Sequence, residues 1–545
     1  MPTLHWIGKE KVINHHMDVP FKVLEHSYGF DNGKQTETET KSGNKIIHGD
    51  NLEALKTLLP EYEGQIKCIY IDPPYNTGNE SWVYNDNVND PKIKKWLGQV
   101  VGKEAEDLTR HDKWLCMMYP RLKLLHKLLA DDGAIFISID KNEEANLKLI
   151  CDEIFGTSNF IANVAVVNNL KGRSDDKFIA TAHESLMIFQ KGKFTTNGVP
   201  VPEEYQEEYK EKDEKGNYRL LGLRKRGSNS REIDRPNLFY PIYYNTETNS
   251  ISLENQDGLI EILPKLSNGE NGNWRWGKDT LISRIDEVEV RIVKTRNEFD
   301  VFQKDYLSKD GENKTIKPKS FWLGSEFSSE AGTLQLKKIF EQKTFQTPKS
   351  VDFIEYCLHQ ATDKNSIVID SFAGSGTTAH AVLNLNKKDN GNRKFICIEM
   401  EDYANDVTAE RVKRVMDGYN STEGTGGSFD FYSLGQPLFK EDGNLNETIG
   451  IDKIRQYVYY TETKTAFSET LHADNKHFLG KHNDTVYYFN YEKDEVTTLD
   501  HAFLATMKTK AEQYVIYADN CLLTKDFMTK HHIIFKKIPR DITRF

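Results

Sequence analysis

The chain has 545 residues, 38% of them hydrophobic, and a formal net charge of −11. That length and composition predict a soluble, folded protein of roughly two to four domains, and no apolar run approaches the length of a membrane span. The acidic charge disfavours a protein that coats nucleic acid with its whole surface, because phosphate binding needs clustered Lys and Arg.

Residues 1–30 lack the apolar core of a signal peptide, and the six cysteines are scattered without a metal-binding spacing. We therefore expect a cytoplasmic protein with buried free thiols and no bound metal. No association with a membrane is expected.

The first 60 residues predict two helices with a strand between them. Apolar residues recur with helical period over 6–24, and a polar stretch follows. The pattern over 45–49 is that of a strand, and the pattern over 52–59 is that of a helix stopped near Pro60. Asp50 lies just ahead of this second helix, where it is placed to cap it.

The next strand ends in an unusual motif, Asp72-Pro73-Pro74-Tyr75. Ile66 to Ile71 reads as a buried strand, and because proline cannot extend a paired central strand, the acid sits where the sheet ends. Ligands bind at the carboxyl ends of strands in open α/β sheets. A carboxylate, a prolyl carbonyl and a tyrosine ring suit a planar ring that carries an exocyclic amine. The other interpretation is an ordinary Pro-rich turn after a core strand.

The segment 76–112 is polar and is either a mobile loop that closes on the ligand or a plain surface loop. After it, helical and strand patterns alternate, which predicts a mostly parallel sheet that ends in an edge hairpin. The predicted elements are a helix over 114–129, a strand over 134–140, a helix over 143–155, and strands over 161–167 and 184–190. The loop 168–173, between the last two strands, is expected near the target ring.

Residues 194–320 interrupt this alternation and differ in composition. Between Arg219 and Arg235 there are six basic residues against two acidic ones, and several aromatic residues follow. Such an insertion suits a module that reads DNA bases, or else a structural subdomain whose aromatic residues form its core. The candidate DNA-binding residues are Arg224, Lys225, Arg226, Arg231 and Arg235.

The alternation resumes near residue 347 with a helix over 351–360 and a strand over 367–370 that runs into a Gly-rich turn. Glycines let the backbone approach a ligand closely, and the helix that follows offers free N–H groups to a carboxylate. A second strand ends in Glu399, the placement used to bind ribose hydroxyls. The turn lacks the full dinucleotide fingerprint and a Walker lysine, so a nucleoside with an attached amino acid fits it best. The cofactor candidates of the turn are Phe372, Ala373, Gly374, Ser375, Gly376 and Thr377.

A helical pattern follows over 403–416, and 421–428 is a Gly/Ser/Thr-rich linker. Residues 436–545 contain strand patterns over 485–491, 513–517 and 532–536 but no catalytic constellation. We expect this region to associate with a second copy or with a partner.

Asp-Pro-Pro-Tyr, followed about 300 residues later by Phe-Ala-Gly-Ser-Gly, resembles the amino-methyltransferases of DNA in their circularly permuted β class. The opening Trp6-Ile7-Gly8-Lys9-Glu10 and the closing Ile538-Pro539-Arg540-Asp541-Ile542 are similar to the modification (Mod) subunits of Type III restriction-modification systems. The resemblance covers essentially the whole chain. It implies an α/β fold: a Rossmann-like, S-adenosylmethionine-dependent methyltransferase sheet with permuted motif order. The implied domains are a catalytic half (1–193), a target-recognition insertion (194–320), a cofactor half (321–420) and a C-terminal association domain (436–545).

The resemblance also implies an activity, the transfer of a methyl group from S-adenosyl-L-methionine to the N6 amine of adenine in duplex DNA. Asp72, Pro73, Pro74 and Tyr75 would be catalytic, with the target base flipped out of the duplex and stacked on the tyrosine. An acid at the first motif position is typical of the adenine-N6 enzymes.

By the same resemblance, Asp50 lies beside the adenine of the cofactor, and Asp370 lies near its methionine part unless it only stabilises the turn. His183-Glu184 corresponds to a polar motif that lines the target pocket, or contains an ordinary surface histidine. A homodimer and a helicase-nuclease restriction (Res) subunit are the expected partners. The alternatives are a solitary or N4-cytosine methyltransferase and a non-catalytic DNA-recognition subunit.

Overall fold

The computed structural model of the chain describes residues 3–77, 95, 98–100, 109–174, 176–309, 311–465, 467 and 475–543. The chain forms two compact units. The larger unit combines 1–197 with 319–545, and the smaller one is the insertion Gly198–Pro318, which lies within the range predicted for it.

The larger unit is built on one sheet of eleven strands. In chain order these are β1 (Lys22–Asp31), β2 (Lys34–Thr36), β3 (Lys45–His48), β4 (Ile66–Ile71), β5 (Leu129–Ile139), β6 (Phe160–Val167), β7 (Glu184–Gln190), β8 (Phe321–Leu323), β9 (Ile367–Asp370), β10 (Lys394–Glu399) and β11 (Ser428–Pro437).

The strands lie in the order β8-β6-β7-β5-β4-β9-β10-β3-β11-β1-β2. The six central strands, from β5 to β11, are mutually parallel, which confirms the prediction of a mostly parallel sheet. The predicted hairpin of β6 and β7 is confirmed as an antiparallel pair. It is not the edge of the sheet, however, because β8 pairs with β6 on its outer side.

Helices cover both faces of this sheet, because alternate side chains of a strand point to opposite faces. In β4, Ile69 and Ile71 belong to one buried core, and Cys68 and Tyr70 belong to the other. The first core is covered by the helices Asn51–Tyr62, Arg110–Leu128 and Glu144–Phe155. The second core is covered by Ser329–Phe340, Val351–Ala361, Thr377–Asp389 and Glu410–Asp417. These bounds confirm the helices predicted over 114–129, 143–155 and 351–360.

Two local predictions are wrong. The region predicted as one helix over 6–24 contains only the short helices Lys9–Val12 and His15–Asp18 before β1 begins. The helix predicted over 52–59 extends to Tyr62, with Pro60 inside its last turn.

The segment predicted as a linker over 421–428 contains a short strand, Thr422–Glu423, and the first residue of β11. Strand β11 pairs with β3 and β1 in the main sheet. The polypeptide after residue 427 therefore returns to the sheet before it reaches the C-terminal region.

The topology has a switch point between β4 and β9. From β4 the chain proceeds to β5 on one side, and from β9 it proceeds to β10 on the other side. A crevice opens at such a point, outside the carboxyl ends of the two strands. The strand before Asp72 and the strand that ends in Asp370 are thus neighbours, although 298 positions separate the two residues.

The C-terminal region has its own four-stranded sheet, formed by Phe478–His482, Thr485–Phe489, Gln513–Ala518 and Ile533–Lys537. The three strands predicted there are confirmed within two residues of each bound. The helices of this region are Ile451–Thr463, His501–Thr506 and Lys525–Lys530. Among the helices that the structure describes, none is long and apolar enough to cross a membrane.

The insertion contains an antiparallel sheet of four strands, Glu211–Asp213, Gly216–Gly222, Val288–Val293 and Glu298–Tyr306. A second sheet consists of Ile242–Asn245, Ser250–Ser252 and Ile260–Ile262, and Lys278–Ser283 is a short helix. Tyr240, Tyr244 and Trp274 are buried in its core, so these aromatic side chains are structural rather than base-reading.

Candidate active site

Four neighbouring strands bring the predicted site residues to one edge of the sheet. Asp72 follows β4, the Gly-rich turn follows β9, Glu399 ends β10 and Asp50 follows β3. These strands are consecutive in the sheet, so the residues lie side by side in the order of the strands.

The loop after β4 is held by residues outside the motif. The Trp114 indole donates a hydrogen bond to the Pro74 carbonyl at 2.6 Å. Asn76 adopts a left-handed φ of 57°, and its buried amide donates to the Arg110 carbonyl at 3.1 Å and to the Glu143 carboxylate. Because Asn tolerates this conformation better than most residues, the loop turns sharply directly after Tyr75.

The polar network around Asp72 joins five side chains. The Tyr75 hydroxyl lies 2.8 Å from Asp72 Oδ1 and 3.0 Å from Glu184 Oε2. Lys349 Nζ donates to the Tyr75 hydroxyl and to Glu184 Oε1, at 2.6 Å in both cases, and lies 3.5 Å from Asp72 Oδ1. Asn168 donates to Glu184 Oε2 at 3.1 Å. The loop 168–173 therefore begins at this network.

Burial and neighbouring charges compete in this network. Burial raises the pKa of Asp72, and Lys349 opposes that rise. Burial by itself would lower the pKa of Lys349, but the carboxylates of Asp72 and Glu184 outweigh it and raise that pKa. The ammonium therefore stays charged beside the two carboxylates.

The turn after β9 is organised by its own side chains. Asp370 accepts hydrogen bonds from the Phe372 N–H at 3.0 Å and from the Thr378 hydroxyl at 2.5 Å, so it stabilises the turn. Burial raises the pKa of Asp370 to about 7. Gly376 has a φ of 80°, and a Cβ at this position would lie 3.0 Å from the Thr408 carbonyl oxygen.

Arg411 supports the same turn from the helix Glu410–Asp417. Its fully buried guanidinium donates to the Ser375 carbonyl at 3.3 Å, to the Ser375 hydroxyl at 2.9 Å and to the Thr377 hydroxyl at 2.7 Å. Ser375 and Thr377 thus serve as acceptors for a buried arginine. Ala373 lies in the same turn and is buried.

Glu399 closes the turn on its other side. Its carboxylate accepts the Gly374 N–H at 2.8 Å and the Glu401 N–H at 2.9 Å. Burial raises the pKa of Glu399 to about 8. These two bonds fasten Glu399 to the Gly-rich turn.

Two cavities lie along this edge. The small one, about 30 Å³, joins the two motifs, since Asp72 and Lys349 line it together with Asp370 and the residues from Phe372 to Ser375. The larger one, about 950 Å³, is lined by Asp50, His48 and Gly49 from one strand end and by Met400 and Asp402 from the next. Asp50 also caps the helix Asn51–Tyr62 by accepting the Leu52 N–H at 2.9 Å. The predicted helix cap is thus confirmed, and the same residue lines the larger cavity.

Within the insertion, the predicted basic residues separate into two groups. Arg224, Lys225, Arg226 and Arg235 line an open groove of about 640 Å³ together with Arg275, which the sequence prediction missed. No acidic side chain is among the described residues that line this groove. Arg231 is not one of the lining residues, and it lies 3.6 Å from the carboxylate of Asp234.

The sequence analysis missed Lys349 and Arg411. It also did not decide which residue of His183-Glu184 belongs to the site. His183 is exposed and Glu184 is buried in the network. The mobile loop proposed over 76–112 falls mostly outside the described residues. In the part of the chain that the structure describes, no cluster of His, Cys, Asp or Glu has the arrangement of a metal site.

Comparison with known proteins identifies the class that this fold and site define. Residues 66–410 match the family described as DNA methylase, whose model covers N6 and N4 methyltransferases. The chain belongs to this family, so the family predicted from the two motifs is confirmed.

Its relatives include proteins from two kinds of restriction-modification system. The Mod subunit of the Type III restriction-modification enzyme EcoPI, from Escherichia phage P1, is 35% identical over 74% of this chain and 64% of that protein. The Mod subunit of the Type III enzyme EcoP15I, from Escherichia coli, is 30% identical over 77% of this chain and 67% of that protein. The Type II methyltransferase M.KpnI, from Klebsiella pneumoniae, is 36% identical over 69% of this chain and 84% of that protein. The chain thus spans just under two thirds of the phage P1 relative.

Proposed function

We propose that this protein transfers a methyl group from S-adenosyl-L-methionine to the N6 amine of adenine in duplex DNA, as the modification and recognition subunit of a Type III restriction-modification system. The observation that carries the proposal is the pairing of β4 with β9, which brings Asp72 and the Gly-rich turn to one small cavity. An amine-binding motif and a cofactor-type turn at a switch point are the two parts that this reaction needs.

The amine is activated by hydrogen bonding. An aromatic amine is a poor nucleophile, because its lone pair is delocalised into the ring. Bonds from its two N–H groups to the Asp72 carboxylate and the Pro73 carbonyl favour a tetrahedral nitrogen with a directed lone pair, and the carboxylate stabilises the positive charge that develops. The Tyr75 hydroxyl already lies 2.8 Å from Asp72 Oδ1, which supports this oxygen as the acceptor for a donor in the pocket.

The residues along the sheet edge fit S-adenosylmethionine. When bound, this cofactor supplies a methyl group that its sulfonium has already activated. The 950 Å³ cavity beside Asp50 has the volume of a small-molecule site, and we assign the ribose hydroxyls to Glu399, which ends the neighbouring strand β10. The N-terminus of the helix Thr377–Asp389 suits the amino-acid carboxylate.

The target base must leave the duplex to reach Asp72. Stacking on the Tyr75 ring compensates part of the cost of unstacking it from its neighbours. The basic groove of the insertion supplies phosphate contacts, and we assign target recognition to the range 194–320.

Adenine is favoured over cytosine because an acid stands first in the motif. The Type III assignment is supported by the two Mod relatives, while the Type II methyltransferase from Klebsiella pneumoniae keeps a solitary enzyme as the second candidate. A Type III modification subunit has a helicase-nuclease Res subunit as its partner. We further assign self-association to 436–545, which gives a homodimer, and because its substrate is cellular DNA we place the protein in the cytoplasm.

The test is methyl transfer from labelled S-adenosylmethionine to unmethylated duplex DNA. We expect transfer by the wild type and none by Asp72→Ala. The matched control is Asp132→Ala, because Asp132 is exposed and its carboxylate pairs with Lys67 at the surface. Transfer by Asp72→Ala at the wild-type rate would contradict the proposed mechanism. No transfer by the wild type, with DNA binding retained, would favour a recognition subunit without catalysis.

A further inference from the structure

Two charged residues from outside the Asp-Pro-Pro-Tyr motif contact the side chains of Asp72 and Tyr75. Glu184 is the first residue of β7, and Lys349 precedes the helix Val351–Ala361. Both side chains are largely buried, with exposures of 7% and 17%, against 10% for Asp72. They meet at the Tyr75 hydroxyl, which accepts a hydrogen bond from Lys349.

The Tyr75 hydroxyl has one proton and two carboxylates within reach. Asp72 Oδ1 lies 2.8 Å away and Glu184 Oε2 lies 3.0 Å away. If Asp72 were the only carboxylate within reach, an amine that bound there would displace the tyrosine from it, and the buried O–H proton of Tyr75 would have no acceptor, which is unfavourable. With Glu184 present, the hydroxyl transfers its hydrogen bond and the ring stays in place.

We propose that Glu184 and Lys349 form a positioning pair that anchors Tyr75 when the target amine takes over Asp72, and that Lys349 keeps Asp72 in its ionised form. This inference rests on the proposed function, because it concerns the same amine and the same carboxylate. Neither residue is assigned to contact the methyl group.

The charges that face Asp72 come from several elements. Lys349 favours its ionised form, whereas Glu184 from β7 opposes it. The other titratable neighbours of this network are Tyr70, Tyr75, Cys357 and Asp370. Burial raises the pKa of Tyr70, Tyr75 and Cys357 well above the ordinary values, so these three groups remain neutral throughout an assay near neutral pH.

The experiment measures the single-turnover rate of methyl transfer as a function of pH, with S-adenosylmethionine and duplex DNA in excess over Kd. The rate falls at acid pH as Asp72 becomes protonated. Lys349→Met removes the favourable charge and should move this acid limb to higher pH by about one unit or more, whereas Glu184→Gln removes the like charge and should move it to lower pH. The acid limb of the double variant should lie between those of the two single variants, and Lys349→Arg should keep the acid limb at its wild-type pH.

A second readout follows the position of Tyr75. With 2-aminopurine at the target position, the flipped base is quenched by stacking on the tyrosine ring, so Glu184→Gln should make the bound duplex more fluorescent than it is with the wild type. Thermal unfolding of each variant identifies any that fail to fold. If Lys349→Met fails to fold, the acid limbs of Glu184→Gln and Lys349→Arg still test the proposal.

The matched controls are Lys9→Met and Glu153→Gln. Lys9 and Glu153 form another lysine–glutamate pair, at 2.8 Å, and neither is among the described residues that line the two cavities. The controls should leave the acid limb in place. If Lys349→Met and Glu184→Gln move the limb in the same direction, or not at all, while the wild type methylates DNA, the proposal is wrong. If the wild type transfers no methyl group, the proposed function fails and this inference fails with it.

Discussion

Replacement of Asn76 tests how the loop of the reactive tyrosine is held. The side chain is 2% exposed, its φ is 57°, and its amide donates to the Arg110 carbonyl and the Glu143 carboxylate. Asn76→Gly removes both hydrogen bonds but permits the backbone conformation. Asn76→Ala removes the same bonds and adds the steric cost of a positive φ.

The magnitudes follow from these contacts. Glu143 keeps His111 at 2.6 Å and Asn146 at 2.7 Å as partners, so the Gly variant mainly leaves one carbonyl short of a donor. We expect a loss of about 2 kcal/mol in the free energy of unfolding for this change. Asn76→Ala should lose roughly 1 kcal/mol more, because the strain of a positive φ exceeds the entropy that alanine saves in the unfolded chain. A loop shift of about 1 Å costs on the order of 100-fold in rate, so both variants should methylate DNA much more slowly.

Scanning calorimetry and single-turnover methyl transfer, the latter at a temperature well below unfolding, measure the two effects. Asn390→Gly is the control, because Asn390 is an exposed residue with a φ of 53° at the end of the helix Thr377–Asp389. It should change neither quantity appreciably. Wild-type stability and rate in Asn76→Gly would refute the reasoning, and identical behaviour of the Gly and Ala variants would refute the part that concerns φ.

Three further predictions concern pH, DNA and the cofactor. Burial raises the pKa of Asp370 to about 7, so its contribution to stability is present at acid pH and is lost as pH rises through that value. The Tm of Asp370→Asn minus that of the wild type should therefore be higher at about pH 8 than at about pH 5. An equal Tm difference at the two pH values would contradict this prediction. Arg235→Gln and Arg275→Gln should each reduce the slope of log Kd against log salt by about one in DNA-binding anisotropy. Arg219→Gln should leave the slope unchanged, because Arg219 is already ion-paired. A wild-type slope in all three variants would show that the groove is not part of the DNA interface. Gly376→Ala places a Cβ 3.0 Å from a carbonyl oxygen at a φ of 80°. The strain of about 1–2 kcal/mol should raise the calorimetric Kd for S-adenosylmethionine by about tenfold, and an unchanged Kd would argue against a role for this turn.

The parts of the site that sequence could predict are those that local chemistry determines. Two prolines after an apolar run place Asp72 at the end of a strand, and glycines after another run place a turn at the end of β9. Neither inference requires knowledge of the partner strands. The resemblance to a known family then supplied what local patterns cannot, namely that the two strands act together.

The residues that sequence missed reach the site through long-range packing. Lys349 and Glu184 are 165 positions apart, and nothing in the residues beside Lys349 indicates that its ammonium meets a buried carboxylate. Arg411 lies within an ordinary amphipathic helix pattern, and its burial under the turn depends on how that helix packs against the helix Thr377–Asp389.

The N-terminal error has the same origin. Apolar residues over 6–24 repeat with helical period, yet β1 begins at Lys22 and pairs with β11, about 400 residues away. Pairing in the sheet decides the conformation of the last three residues of this segment in spite of its local pattern. The basic residues of the insertion show a further limit, since a run in the sequence identified four lining residues of the groove but not Arg275, which comes from a different segment.

The most direct test of the central claim is the identity of the base that the protein modifies. Plasmid DNA from a methylation-deficient host that expresses the wild type or Asp72→Ala is digested to nucleosides and analysed by mass spectrometry. We predict N6-methyladenine with the wild type and none with the variant. N4-methylcytosine with the wild type, or N6-methyladenine in equal amount with both proteins, would contradict the account.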